Sequence, residues 1–211
     1  MPKPASGLRN VVYVEPRQGH YRADLSTSGI GTLQSITISD SNSRIGGAGS
    51  QFSGFDLDAI RLSTTLCATA ICVNALPGLD VFNFSSGLVF TPGTQRAPAA
   101  AQLFGAAGGT VDNSVATLGL FDANSTTGIN AFGFLSMGDG GQLSFNLTSI
   151  LSTAGLYLYI GEVGNNGEVA AGSITISSNP VDPRVVPIPG SLPLMLGALA
   201  FGGLVLRKRR G

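Results

Sequence analysis

Short stretches of alternating or β-branched apolar residues, separated by glycine- and asparagine-rich turns, occupy positions 1–176 of the chain. The period is two rather than 3.6, which predicts strands and not amphipathic helices. The segments that read as strands are Val11–Val14, Leu33–Ile38, Phe55–Ser63, Val81–Phe84, Leu88–Phe90, Ala116–Phe121, Gly133–Leu135, Gln142–Leu147, Tyr157–Val163 and Ala171–Ile176. Turns are expected at Ser39-Asp40-Ser41-Asn42, Gly46-Gly47, Pro92-Gly93, Gly138-Asp139-Gly140-Gly141 and Gly164-Asn165-Asn166-Gly167. Many short strands with such turns predict an all-β domain over 1–176, an antiparallel β-sandwich of jelly-roll-like form. Two segments break the pattern. Arg96–Ala107 reads as a short helix or a long loop, and Ser149–Ala154 as a helical turn.

The pattern changes after Ile176. Residues 177–185, Ser-Ser-Asn-Pro-Val-Asp-Pro-Arg-Val, form a proline-interrupted linker. Val186-Pro187-Ile188-Pro189 follows, then the apolar stretch 190–206, then Arg207-Lys208-Arg209-Arg210. Ile188 to Leu206 carries no charge. At about 1.5 Å per residue such a helix spans roughly 28 Å, close to a hydrocarbon core of ~30 Å. Pro189 and Pro193 stand at the entry, where a helix tolerates proline. One C-terminal transmembrane helix over 190–206 is therefore expected. Its basic stop at 207–210 lies in the cytoplasm by the positive-inside rule, and the rest of the chain on the other side.

This three-part tail, Val186 to Gly211, resembles the PEP-CTERM sorting signal of Gram-negative bacteria in its Val-Pro-x-Pro form, with Ile188 where the family usually carries Glu. The resemblance implies that an exosortase, an integral membrane protease, recognises Val186, Pro187, Ile188 and Pro189 and processes the tail. It implies export, an inner-membrane-anchored stage before processing, and final placement at the cell surface or outside the cell.

Composition agrees with that destination. The 211 residues include 30 Gly, no Trp and one His, and 11% are charged. Four of the twelve basic residues belong to the tail, so residues 1–206 hold eight bases against twelve acids, a net of −4. Such a body offers no basic surface for nucleic acid. Export calls for a secretory signal, and Met1 to Asn10 has no apolar core of the required length. The expectation is that the native start lies upstream of Met1. Cys67 and Cys72, spaced C-x4-C, read as a disulfide in an oxidising compartment, with free thiols as the alternative.

Candidate chemistry is sparse. In Gly54-Phe55-Asp56-Leu57-Asp58-Ala59-Ile60, strand alternation sets Asp56 and Asp58 on one face and Phe55, Leu57 and Ala59 on the other. Two such carboxylates suit a hard cation such as Ca²⁺, or else form the solvent face of an edge strand. Glu162 and Glu168 flank Gly164-Asn165-Asn166-Gly167. They read as solvent-facing hairpin flanks, as further Ca²⁺ ligands beside Asp56 and Asp58, or as a glycosidase-like carboxylate pair. Both stretches, with Gly138-Asp139-Gly140-Gly141, resemble patterns that recur in the bodies of PEP-CTERM proteins. His20 reads as solvated or structural. Phe82, Phe84, Phe90, Phe121, Phe132, Phe134 and Phe145 read as core, with a carbohydrate-binding groove as the alternative. No Gly-x-Ser-x-Gly, His-Glu-x-x-His or phosphate-loop motif occurs.

The expected function is that of an exported surface or extracellular-matrix protein, sorted by an exosortase, with a non-catalytic structural or interaction domain and exopolysaccharide as a partner. The alternative is a calcium-assisted carbohydrate-binding module.

Overall fold

A computed structural model describes residues 9–11, 14–17, 20–45, 48–122, 133–163 and 170–183. The tail 186–211, Glu168 and the 164–167 turn lie outside them, as does Phe132. Among the described residues no helix is long and apolar enough to cross a membrane.

The chain is all-β. Its strands are β1 (Arg9–Val11), β2 (Val14–Arg17), β3 (His20–Asp24), β4 (Thr32–Asp40), β5 (Asp56–Ser63), β6 (Leu88–Thr91), β7 (Ala106–Ala107), β8 (Thr110–Val111), β9 (Leu135–Ser136), β10 (Gln142–Ser152), β11 (Tyr157–Glu162) and β12 (Ala170–Ser177). Among the described residues one short α-helix, α1 (Ala70–Ala75), and two 3-10 turns, Leu25–Ser28 and Ser50–Phe52, interrupt them. Two five-stranded sheets form, in the orders β1-β12-β4-β10-β6 and β2-β3-β11-β5-β9, and β7 pairs with β8. The pairings among these strands are antiparallel.

Alternation, interrupted once in β4 and once in β5, sets which residues face inward. Leu33, Ile36 and Ile38 of β4, Leu143 and Phe145 of β10, and Ile174 and Ile176 of β12 leave the first sheet. They join Ala23, Leu57, Ile60, Leu62, Leu158 and Ile160 of the second sheet in one apolar cluster. A shared core between two sheets is the packing of a sandwich. Tyr159 alternates with Leu158 and Ile160 and so faces outward, into a second cluster with Ala59, Cys67, Val73 and Phe121. The second sheet is therefore covered on both faces, which accounts for the buried run of β5.

Several expectations need correction. Ser149–Ala154 is no helical turn: β10 runs on to Ser152, and its register with β4 shifts between Asn146 and Leu151. Arg96–Ala107 is the long loop rather than the helix, ending in the β7–β8 hairpin. Val81–Phe84 contributes a single bridge, Phe82 to Leu147. Ala116–Phe121 is not a strand, although the Ile60 N–H donates to the Leu118 carbonyl at 3.1 Å. Strand β3 and helix α1 were not legible. Gly19 directly precedes β3, and α1 is only six residues long.

Candidate functional site

Antiparallel order brings the end of β4, the starts of β5 and β10 and the end of β11 to one pole of the domain. Asp56 opens β5 opposite Ser136 of β9. Glu162 closes β11 opposite Leu57, and the Val163 N–H donates to the Asp56 carbonyl at 3.2 Å. Asp56, Glu162 and Ser136 are all buried. This overturns the solvent-facing reading of both acids: β5 is an inner strand, and Glu162 lies under the pole rather than on a hairpin flank.

Glycines let three backbone segments meet here. Gly54 has φ +77, and a Cβ on it would stand 2.3 Å from the backbone of Gly138. The Gly138 N–H donates to the Ser53 carbonyl at 2.8 Å, and Gly93 N–H to the Met137 carbonyl at 2.9 Å. Asp40, at the end of β4, clips the segments together. Its Oδ1 accepts from the Phe55 N–H at 2.9 Å, and its Oδ2 from the N–H groups of Asn42 at 2.6 Å and Gly140 at 2.7 Å. Buried Asp139 faces two guanidinium groups, Arg96 at 3.4 Å and exposed Arg44 at 3.8 Å.

Burial dominates the electrostatics of Asp56. Removal from water pushes its carboxyl from an ordinary 3.8 up to about 8, against a lowering contribution from the Ser136 hydroxyl. The negative charges of Glu162 and Asp40 add to the rise, and Arg96 opposes it. Asp56 Oδ1 and Ser136 Oγ nonetheless have no hydrogen-bond partner within ordinary geometry. At neutral pH Asp56 is a neutral acid, the form that burial favours.

Asp58 belongs to a different neighbourhood. Its Oδ2 accepts from the Asp122 N–H at 3.1 Å, and a Cβ on Gly161 would meet that same Oδ2 at 3.0 Å. Gly161 pairs with His20 of β3, so the register places His20 and Asp58 on the strands flanking a residue without a side chain. His20 and Asp58 are buried, at 3% and 2% exposure, so the solvated alternative for His20 does not hold. The charged neighbours of Asp56 are Glu162, Arg96 and Asp40. Of the four expected calcium ligands, the structure brings Asp56 and Glu162 together, directs Asp58 to the Asp122 amide, and does not describe Glu168. Among the described residues, no three His, Cys, Asp or Glu side chains converge to hold a metal ion.

On the outer face of the second sheet, Cys67 and Cys72 form a disulfide that closes a loop leading into α1. The Tyr159 hydroxyl accepts from the Cys67 N–H and donates to the Thr65 carbonyl, each at 2.8 Å. The Arg22 guanidinium donates to the Cys67 carbonyl at 3.1 Å. The Thr69 hydroxyl caps α1 by accepting from the Cys72 N–H. Arg61 gathers the other end: its guanidinium donates to the carbonyls of Val73, Asn74 and Leu76 at 2.6–3.2 Å, and to that of Gly119 at 3.1 Å. Asn74 then holds Phe121 through both its N–H and its carbonyl.

Asp40, Asp139, Arg61 and Arg96 were absent from the sequence-predicted set. Arg61 had a readable signal, the one basic residue of segment 55–63, which also carries the acids Asp56 and Asp58. Asp139 and Asp40 stood inside the Gly138–Gly141 pattern and the 39–42 turn, but their partners Arg44, Arg96, Phe55 and Gly140 lie far from them in sequence. No protein-family model, curated protein or solved structure matches the chain.

Proposed function

We propose that the chain is an exported protein of the cell surface or extracellular matrix, sorted through Val186–Gly211 by an exosortase and carrying a non-catalytic structural or interaction domain. The single observation that carries the reading is the tail itself: Val-Pro-Ile-Pro, an uncharged membrane-length stretch, then Arg-Lys-Arg-Arg. The Cys67–Cys72 disulfide supports it, because such bonds persist in oxidising compartments. The body stands at net −4 over residues 1–206, which favours no nucleic-acid partner.

The finer fold reading is a jelly roll with one C-terminal transmembrane helix. Strand order supports the first part. Setting aside the edge strands β2 and β6, the sheets read β1-β12-β4-β10 and β3-β11-β5-β9. Two four-stranded antiparallel sheets whose chain crosses repeatedly between them are the jelly-roll plan.

The non-catalytic reading rests on the surroundings of the acids. Asp56 and Glu162 are buried beneath the glycine contacts of the pole, a poor position for reaching a substrate. The second reading, a carbohydrate-binding module assisted by Ca²⁺ near Asp56 and Glu162, is favoured by the jelly-roll strand order and by a surface groove described below. Replacing Val186–Pro189 by alanines in a host with an exosortase tests the main reading. Loss of processing and retention in the inner membrane are expected, and unchanged maturation would sink it.

A further inference from the structure

Away from the acid-lined pole, two cavities of about 230 Å³ each are lined in part by Phe84. The first is bounded by Arg61, Asp80, Phe82 and Phe84. The second is bounded by Phe84, Ser85, Phe90, Thr110 and Asn113. Phe84 is the residue common to both.

The shared residue is held by its neighbours. Asn83 Oδ1 accepts from the N–H groups of Ser85 and Ser86 at 3.1 and 3.0 Å and from the Ser85 hydroxyl at 2.8 Å. That side-chain turn fixes the backbone on either side of Phe84. The Phe84 ring stacks on Phe82 at 5.7 Å with 4° between planes, and meets Phe145 edge-on at 6.3 Å. Phe82 and Phe84 are only half-buried, so part of each aromatic surface remains open to the cavities.

Charge selects the class of ligand. The Arg61 guanidinium reaches the first cavity but is committed to four backbone carbonyls. Exposed Asp80 contributes a carboxylate there, which repels anions. The second cavity offers the neutral donors and acceptors of exposed Ser85, Thr110 and Asn113. Aromatic faces beside a few convergent neutral polar groups suit a ligand with apolar faces and hydroxyl edges. A pyranose has that shape: its axial C–H bonds pack on an aromatic ring while its equatorial hydroxyls bond at the rim.

We propose that the two cavities are adjacent subsites for a neutral, linear oligosaccharide, with Phe84 as the platform between two sugar units. The inference rests on the carbohydrate-binding reading and gives it a location, distinct from the acid-lined pole.

Isothermal titration of the full chain in a zwitterionic, sugar-free detergent tests it. The probes are neutral β-1,4-linked tetrasaccharides of glucose and of mannose, beside an acidic tetragalacturonate. Phe84→Leu removes the ring while keeping apolar bulk, and Asn113→Ala alters an exposed residue, so both variants are expected to melt like the parent. A neutral tetrasaccharide should bind, with affinity reduced about tenfold or more by Phe84→Leu, a factor equivalent to about 1.4 kcal/mol, and less by Asn113→Ala. If no probe binds, the carbohydrate-binding reading falls and the inference with it. If a neutral probe binds but neither variant weakens it, the groove assignment alone is overturned. Binding of the acidic probe only would overturn the assignment to neutral sugars.

Discussion

Replacing Asp56 by asparagine probes the buried pole most directly. Asn has nearly the same shape and never ionises. In the native protein the Asp56 carboxyl is held at about 8, mainly by burial, against an ordinary 3.8. Between those two values the folded state keeps a proton that the unfolded chain has already lost. The sign follows: this group's contribution is fully present below pH 4, declines as pH rises, and changes no further above about pH 8. Each pH unit inside the window costs about 1.4 kcal/mol. The cost by pH 7.5 is then about 4–5 kcal/mol for a site this dry. Asp56→Asn removes the titration, so the variant should be several kcal/mol more stable than the parent at pH 7.5 and roughly equal to it at pH 3.5. Urea unfolding followed by circular dichroism at half-unit pH steps measures the difference. Subtracting the two profiles cancels the titrating groups that do not interact with Asp56. A difference that stays flat from pH 4 to 8, or a variant less stable at pH 7.5, would refute the burial argument.

Two other substitutions test the scaffold. Arg61→Met deletes donors to four carbonyls while retaining an apolar stem, and should cost about 2–4 kcal/mol through the unsatisfied carbonyls left behind; a melting temperature within a degree of the parent would contradict the clamp. Gly54→Ala sets a Cβ 2.3 Å from the Gly138 backbone at φ +77 and should abolish the native fold, read as loss of thermal cooperativity, whereas a cooperative melt near the parent's would contradict the close approach.

The strands and the sandwich core were legible because period-two burial is a local signal. Ile36 and Ile38, Leu143 and Phe145, or Ile174 and Ile176 declare their face without knowledge of their partners. Strand β5 shows where this fails. Alternation set Ala59 with Phe55 and Leu57, yet the register with β11 shifts between Ile160 and Glu162, and Ala59 packs in the outer cluster with Tyr159. A bulge is a property of the pair of strands, invisible in either one alone. The burial of Asp56 and Glu162 escaped for a related reason. Two glycine segments some 84 positions apart, at Gly54 and Gly138, close over that pole. The Cys67–Cys72 bond was readable from spacing and expected compartment, but the Tyr159 and Arg22 contacts that anchor its loop come from strands distant in sequence.

Intact-mass spectrometry of the protein recovered from the surface or medium of an exosortase-bearing host, expressed with a secretory leader ahead of Met1, tests the central claim. The account predicts a mature species that lacks the basic cluster Arg207–Arg210 and depends on the exosortase. A species that leaves the cell with the tail intact, or one processed identically when the exosortase is deleted, would contradict it.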